Sequence, residues 1–207
     1  MIAIVDYGMG NLRSVEKAFL RVGQSARVTS ERAVIASADG VVLPGVGAFR
    51  ACMENLDRLG LVPVLREVIE RGTPFLGICL GMQVLFSESE EFGPVAGLGI
   101  LPGRVVRFDG EAVAGLRVPH MGWNVLARRR DVPQLAGLEE GAYAYFVHSY
   151  YVVPEDPAMI TTETPYGVAF ASSVARDSIF ACQFHPEKSQ RAGLRILANF
   201  GEVAARR

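Results

Sequence analysis

Three short apolar runs, separated by stretches with helical periodicity, leave this chain few architectures. Residues 2–6 form the first run; Gly8 and Gly10 break it, and Asn11 stands where a helix N-cap belongs. Leu12, Val15, Phe19 and Val22 then recur at helical spacing as far as Gly23. A second run at 41–43 stops at Pro44 and Gly45. Two helical stretches follow, split near Gly60 and closed by Gly72, and a third run occupies 75–79. Parallel strands need crossovers of this kind, so the pattern predicts an α/β layered core. The second half changes character. GRVVRF, YAYFVHSYYVV, YGVAFASSV and SIFACQF are short, β-rich and separated by turns, which predicts antiparallel strands added to a mostly parallel sheet. A last helix, with Ser189 placed to cap it, puts Leu194, Leu197 and Phe200 on one face. No repeat or linker divides the chain, so residues 1–207 read as one domain.

Composition narrows the function. A net charge of −1 gives no long-range field toward nucleic acid or an anionic membrane. Arg128, Arg129 and Arg130 are followed at once by Asp131 and read as a solvated loop. No apolar run is long enough to span a bilayer and no leader is evident, so a cytoplasmic protein is expected. The three cysteines, Cys52, Cys79 and Cys182, have neither zinc-ligand spacing nor the look of a disulfide framework. No metal and no cofactor is expected.

One of those cysteines sits in GICLGMQ, residues 77–83. Gly77 and Gly81 lie two residues either side of Cys79. A strand turning sharply into a helix crowds those two positions and demands small residues there, which is the logic of the nucleophile elbow. Such a turn lifts the central side chain above the sheet and aims the Leu80 N–H at whatever binds. A helix N-terminus behind the sulfur favours the thiolate. By itself the pattern fits a small core residue as well as a nucleophile.

FHPEKS, residues 184–189, supplies a possible partner. Pro186 biases His185 toward an extended conformation, in which residues two apart share a face. Glu187 can then orient the imidazole, an acid holding a base. His-Pro-Glu alone is equally a charged surface turn. SIFACQF, however, leads into His185 as a strand, and open α/β sheets place their sites at strand ends. A cysteine elbow also needs a base. His120 and His148 have no acid at close spacing and read as hydrogen-bonded structural histidines. Cys182, taken to face away from Phe184, and Cys52 read as core filler. An acyl-transfer site further needs an oxyanion hole. LPGVGAF, residues 43–49, offers a donor beside Leu80, since Gly45 and Gly47 allow a backbone N–H to point into a site.

PGVG, GICLGMQ and HPEKS, in that order along essentially the whole chain, resemble the class I (triad-type) glutamine amidotransferases. The resemblance implies a flavodoxin-like α/β fold with Cys79, His185 and Glu187 as the triad. It implies an oxyanion hole of Leu80 with backbone near Val46 and Gly47, and glutamine contacts at Gln83, Glu91, Ser149 and Tyr150. Glu88 and Glu90 compete with Glu91 for its role. IVDYGMGNLRSV, VPHMGWN and YFVHSYY resemble the branch that passes ammonia to a (β/α)8-barrel cyclase subunit in histidine biosynthesis. That branch implies a heterodimer with Asn11, Trp123, Tyr145 and Lys188 at the interface. The glutaminase would be nearly silent alone, with a peptide of PGVG turned the wrong way until the partner is loaded. The competing readings are the glutaminase of another triad amidotransferase, a free-standing cysteine hydrolase, and a non-catalytic subunit that keeps only the fold.

Overall fold

The computed structural model describes residues 1–206. The first half runs β1 (Ile2–Val5), α1 (Leu12–Arg21), β2 (Ala26–Thr29), α2 (Arg32–Ala36), β3 (Gly40–Gly45), α3 (Phe49–Arg58), α4 (Val62–Glu70), β4 (Phe75–Cys79) and α5 (Leu80–Gln83). The second half adds β5 (Phe86–Ser89), β6 (Val95–Ala96), β7 (Leu101–Arg107), β8 (His120–Val125), β9 (Ala127–Arg128), β10 (Tyr143–His148), β11 (Tyr150–Pro154), β12 (Ile160–Tyr166), β13 (Val168–Arg176), β14 (Ile179–Cys182) and α6 (Gln190–Ala205).

One eight-stranded sheet organises the chain, in the order β2-β1-β3-β4-β14-β13-β12-β9. The strands from β2 to β14 pair in parallel, and β13, β12 and β9 continue it antiparallel. The five parallel strands, renumbered along the chain, read 2-1-3-4-5, the flavodoxin-like order. The centre of the sheet is covered on both faces, which is why β1, β3 and β4 carry no charged or amide side chain at any position. In β1, Ala3 and Val5 pack with Ile35, Cys52 and Val68 from α2, α3 and α4. Ile2 and Ile4 pack on the other face with Val15 and Phe19 of α1 and Ile196 and Phe200 of α6.

Several boundaries differ from the sequence expectation. β2 and α2 are absent from it, because β2 is half-exposed and α2 is a single short turn around one buried residue, Ile35. β3 does not stop at Pro44. It runs through Gly45, with Pro44 opposite Ile78 and Gly45 opposite Cys79. The run 143–153 is two strands in two sheets. β10 pairs with β8 as a separate ribbon, and β11 joins β7, β5 and β6 in a four-stranded sheet. Asn11 and Ser189 occupy their N-cap positions, but neither side chain caps its helix. Cys182 and Phe184 pack in the same core layer rather than on opposite faces, as the two-residue repeat of an extended chain requires. Among the described residues no helix is long and apolar enough to cross a membrane.

Candidate active site

The parallel strands β3, β4 and β14 all end on one edge of the sheet, and the chemistry collects there. β4 turns into α5 at Cys79, whose backbone takes φ 55° and ψ −110°. A non-glycine residue in this region carries about 1–3 kcal/mol of strain, held only where the surroundings enforce it. Here they do. A Cβ on Gly81 would lie 1.8 Å from the Leu43 carbonyl oxygen, and one on Gly77 would lie 2.8 Å from the Gly81 oxygen. Both glycines are therefore needed for close approach, as the elbow logic requires. Cys79 is 6 % exposed, and that small exposure opens into a cavity of about 460 Å³.

The residues expected to bind glutamine share that cavity. Val46, Gly47, Leu80, Gln83, Glu91 and the pair Ser149 and Tyr150 line it with Cys79. Among the three acids of the loop the geometry discriminates. Glu91 alone reaches the cavity, with Oε2 accepting from the Phe49 N–H at the start of α3 (2.6 Å). Glu90 instead accepts from the Arg107 N–H (2.7 Å), and Glu88 is exposed on β5. Arg107 and Phe92 also line the cavity, and sequence reasoning singled out neither. Arg107 carried no signal because it lies at the end of a strand read only for its periodicity. Phe92, 80 % exposed, looked like ordinary loop.

The two glycines of PGVG have different jobs. Gly47 has φ +98°, the conformational freedom anticipated for both. Gly45 is constrained instead. A Cβ there would sit 2.5 Å from the Tyr7 hydroxyl and 2.9 Å from Leu80 Cβ. That hydroxyl donates to the Pro44 carbonyl (2.9 Å), fixing the end of β3 from below. A Gly45→Ala variant would thus displace Tyr7 or Leu80 rather than merely stiffen the strand.

His185 enters from the end of β14 and is 2 % exposed. Its backbone N–H donates to the Tyr145 carbonyl (2.9 Å). Ser189 fastens the same segment, its Oγ donating to the His185 carbonyl (2.7 Å) and accepting from the Tyr145 N–H (2.9 Å). That explains why Ser189 caps nothing. The ring is aimed by Glu187, whose Oε1 lies 2.9 Å from Nδ1. Nε2 has no other polar partner among the described residues and is left to the Cys79 side. Burial opposes a charge on this imidazole. The interaction with Cys79 and then the bond to Glu187 outweigh it, raising the pKa to about 10. His185 is therefore held as a proton carrier between sulfur and carboxylate.

The other histidines form a directed chain. His148 Nδ1 lies 2.8 Å from the Tyr150 carbonyl, which can only accept, so Nδ1 carries the hydrogen. Nε2 of His148 then accepts from His120 Nδ1 (3.0 Å), and His120 Nε2 accepts from Asn124 Nδ2 (3.2 Å). Both rings are neutral in this arrangement. They sit among Phe108, Phe146 and Phe170, and burial lowers His120 to about 4 and His148 to about 3. The remaining cysteines are inert. Cys52 is fully buried and burial, only partly offset by the neighbouring Tyr7 hydroxyl, pushes its thiol up to about 12; burial raises Cys182 likewise.

The residues expected at a partner interface lie apart from the cavity. Trp123 on β8 and Tyr145 on β10 meet edge-on with centroids 6.0 Å apart, and Lys188 Nζ stands 5.8 Å from the Tyr145 ring centre. Met121 and Trp123 are exposed on the same face of the ribbon. Asn11 is half-buried at the start of α1, far from that group in sequence, although α1 packs against the turn 186–188 that carries Lys188.

Comparison with known proteins agrees with this architecture. The family model for glutamine amidotransferase class-I matches residues 3–203. The imidazole glycerol phosphate synthase subunit HisH of Syntrophotalea carbinolica is 60% identical, across 98% of this chain and 100% of that protein. The subunit HisH of Aquifex aeolicus is 52% identical, across 97% and 96%. Among solved structures, a glutamine amidotransferase superposes with a TM-score of 0.76 at 19% identity, covering 99% of this chain and 100% of the other. The glutaminase domain of Trypanosoma brucei CTPS, with bound acivicin, gives 0.67 at 18% identity, covering 100% and 94%. This chain belongs to the class-I glutamine amidotransferase family.

Proposed function

We propose that the chain is the glutaminase subunit of an imidazole glycerol phosphate synthase, hydrolysing glutamine to glutamate and ammonia for histidine biosynthesis. The full-length likeness to subunits of that enzyme supports the choice within the family. One observation carries the chemistry: Cys79 stands at a strained elbow on the cavity wall, beside a buried His185 that Glu187 orients.

The Cys79 thiolate attacks the side-chain amide carbon of glutamine. Negative charge moves to the amide oxygen, which the Leu80 N–H and the backbone at Val46 and Gly47 stabilise. One such donor is worth about 3 kcal/mol of barrier. His185 gives its proton to the departing nitrogen, so ammonia leaves and a glutamyl thioester remains. Water then attacks the thioester as His185 takes its proton, and glutamate departs from the regenerated thiolate. Glu187 keeps the imidazole aimed through both steps. Gln83 contacts the substrate, Glu91 reads its amino group, and Ser149 and Tyr150 contact its carboxylate.

Ammonia released to water would be protonated and lost. The chain therefore acts in a heterodimer with a (β/α)8-barrel cyclase subunit, which receives ammonia through an internal channel. The partner makes imidazole glycerol phosphate and an aminoimidazole carboxamide ribonucleotide. The exposed ribbon bearing Trp123 and Tyr145, with Lys188 and Asn11, meets the partner. Residues 1–207 act as one domain, in the cytoplasm. No metal or cofactor takes part in the steps above.

Glutamate release, measured for the chain alone, with the cyclase, and with the cyclase plus its nucleotide ligand, tests this reading. Turnover should appear mainly in the loaded complex and vanish with Cys79→Ala. Strong turnover by the chain alone, indifferent to the cyclase, would make it a free-standing hydrolase instead.

A further inference from the structure

Gln183 has no part in the mechanism above, yet its side chain touches the nucleophile. It lies between Cys182 and Phe184, is fully buried, and is still tied to the sheet by its N–H to the Ser172 carbonyl (2.9 Å). A glutamine is seldom buried completely, and one that is must spend its polar atoms on fixed partners. Its Nε2 donates to Cys79 Sγ at 3.5 Å, and its Oε1 accepts from Gln83 Nε2 at 2.9 Å.

The direction of this chain of bonds is set by an atom with no choice. Gln83 Nε2 also lies 3.0 Å from the Tyr150 carbonyl oxygen, which can only accept. Gln83 must therefore present its NH2 group there. The same group faces Gln183, so Gln183 must answer with its oxygen, and its own NH2 is left pointing at the sulfur. Turning the Gln183 amide over would set two NH2 groups against each other and put a carbonyl oxygen against Sγ. The Tyr150 carbonyl, which also takes His148 Nδ1, thus fixes what reaches the sulfur.

We propose that Gln183 is a catalytic residue of this site: its carboxamide N–H donates to Cys79 Sγ, favours the thiolate and aims it at the cavity, with Gln83 as its anchor. The inference rests on the reading of Cys79 as nucleophile. The bond is strongest while sulfur carries charge, before attack and again when the thiolate leaves the acyl group. Gln183 therefore assists both formation of the attacking species and release of glutamate. It does so from the sheet side, whereas His185 exchanges the proton.

The test is alkylation of the full-length chain by iodoacetamide at pH 6 and pH 10, with the modified cysteine located by mass spectrometry. Gln183→Met keeps the length and removes the donor. One charge-assisted bond predicts that Gln183→Met slows Cys79 alkylation about tenfold at pH 6. The rates of wild type and Gln183→Met should converge at pH 10, where a thiol ionises without help. Equal rates at pH 6, or the same slowing at both pH values, would overturn the proposal. Should Gln183→Met fail to fold, Gln83→Met is read the same way: a smaller slowing confined to pH 6 is expected, and none overturns the proposal. If wild-type Cys79 is not the residue alkylated, the nucleophile itself is wrong. If it is, and the variants match wild type, only Gln183 loses its role.

Discussion

The neutral pair His120–His148 predicts how acid will weaken this protein. His148 is buried among aromatic rings, and its two nitrogens are committed in one sense only, Nδ1 giving to Tyr150 and Nε2 receiving from His120. Its pKa is lowered to about 3, chiefly by burial. In the unfolded chain it returns to about 6.5. Between those values the unfolded state binds a proton that the native state refuses, so stability contributed by the neutral ring is complete above pH 6.5 and lost as pH falls. By pH 4.5 this amounts to about 2–3 kcal/mol from His148 alone. The pair titrates as a unit, so His120, lowered to about 4, adds in the same direction. His148→Gln removes the titration while keeping one donor and one acceptor. Urea unfolding of both proteins at pH 7.5, 6.5, 5.5 and 4.5 gives the comparison. The variant should be less stable at pH 7.5, by about 1–3 kcal/mol for the lost packing and altered bonds. That gap should shrink by about 2–3 kcal/mol on reaching pH 4.5. A gap constant across the range would mean that His148 protonates in the native state, and the directed chain from Asn124 to Tyr150 would be wrong.

Two further outcomes follow from the elbow and the triad. Gly81→Ala would force a methyl group to within 1.8 Å of the Leu43 oxygen, both backbone-bound, so β3 or α5 must move. A loss of about 3 kcal/mol or more is expected, seen as a fall in melting temperature of about 6–12 °C; an unchanged melting point would refute the crowding argument. His185, raised to about 10, gives the opposite pH dependence to His148. Its contribution to stability is full below pH 6.5 and is lost as pH rises toward 10. The alkaline limb of glutamine turnover in the loaded complex should likewise lie near pH 10, where the proton for the leaving nitrogen disappears. An alkaline limb near 6.5 would show that Cys79 and Glu187 do not hold the imidazolium.

The sequence was informative wherever a residue type had one physical use. Gly77 and Gly81 around Cys79 announced a crowded turn, and both prove intolerant of a Cβ. His185 and Glu187 announced a pairing across Pro186, and their side chains do meet at 2.9 Å, although residues 186–188 form a 3-10 turn rather than the extended segment expected. The alternation of β1, α1 and β3 announced parallel layers, because strands buried on two faces must be apolar throughout. It was uninformative wherever meaning came from distant partners. Gly45 and Gly47 look alike in PGVG, yet one is fixed by packing against Tyr7 and the other by its positive φ. Glu88, Glu90 and Glu91 are equivalent on paper. Only the N–H groups of Phe49 and Arg107 sort them. Gln183 stood in plain view inside SIFACQF, read only for its strand. Nothing local says that a residue 104 positions before it in sequence lies 3.5 Å away.

The ribbon of β8 and β10 ties these points together through the alternation of an extended chain. On β10, Ala144, Phe146 and His148 turn inward, into the aromatic cluster and toward the Tyr150 carbonyl. Tyr145 and Val147 alternate with them, Tyr145 beside Trp123 and Lys188 on the face proposed for the cyclase. The Tyr145 backbone meanwhile accepts from the His185 N–H and donates to Ser189, so the strand that presents the outer face also fixes the height of the catalytic imidazole. His148, three residues on, ends at the carbonyl that orients Gln83 and through it Gln183 and Cys79. Both the proton carrier and the sulfur are thus registered against one six-residue strand. A substitution that shifted β10 by a single residue would exchange its two faces. It would take the His185 support, the Tyr150 network and the outer aromatic pair together, so these three features stand or fall as one.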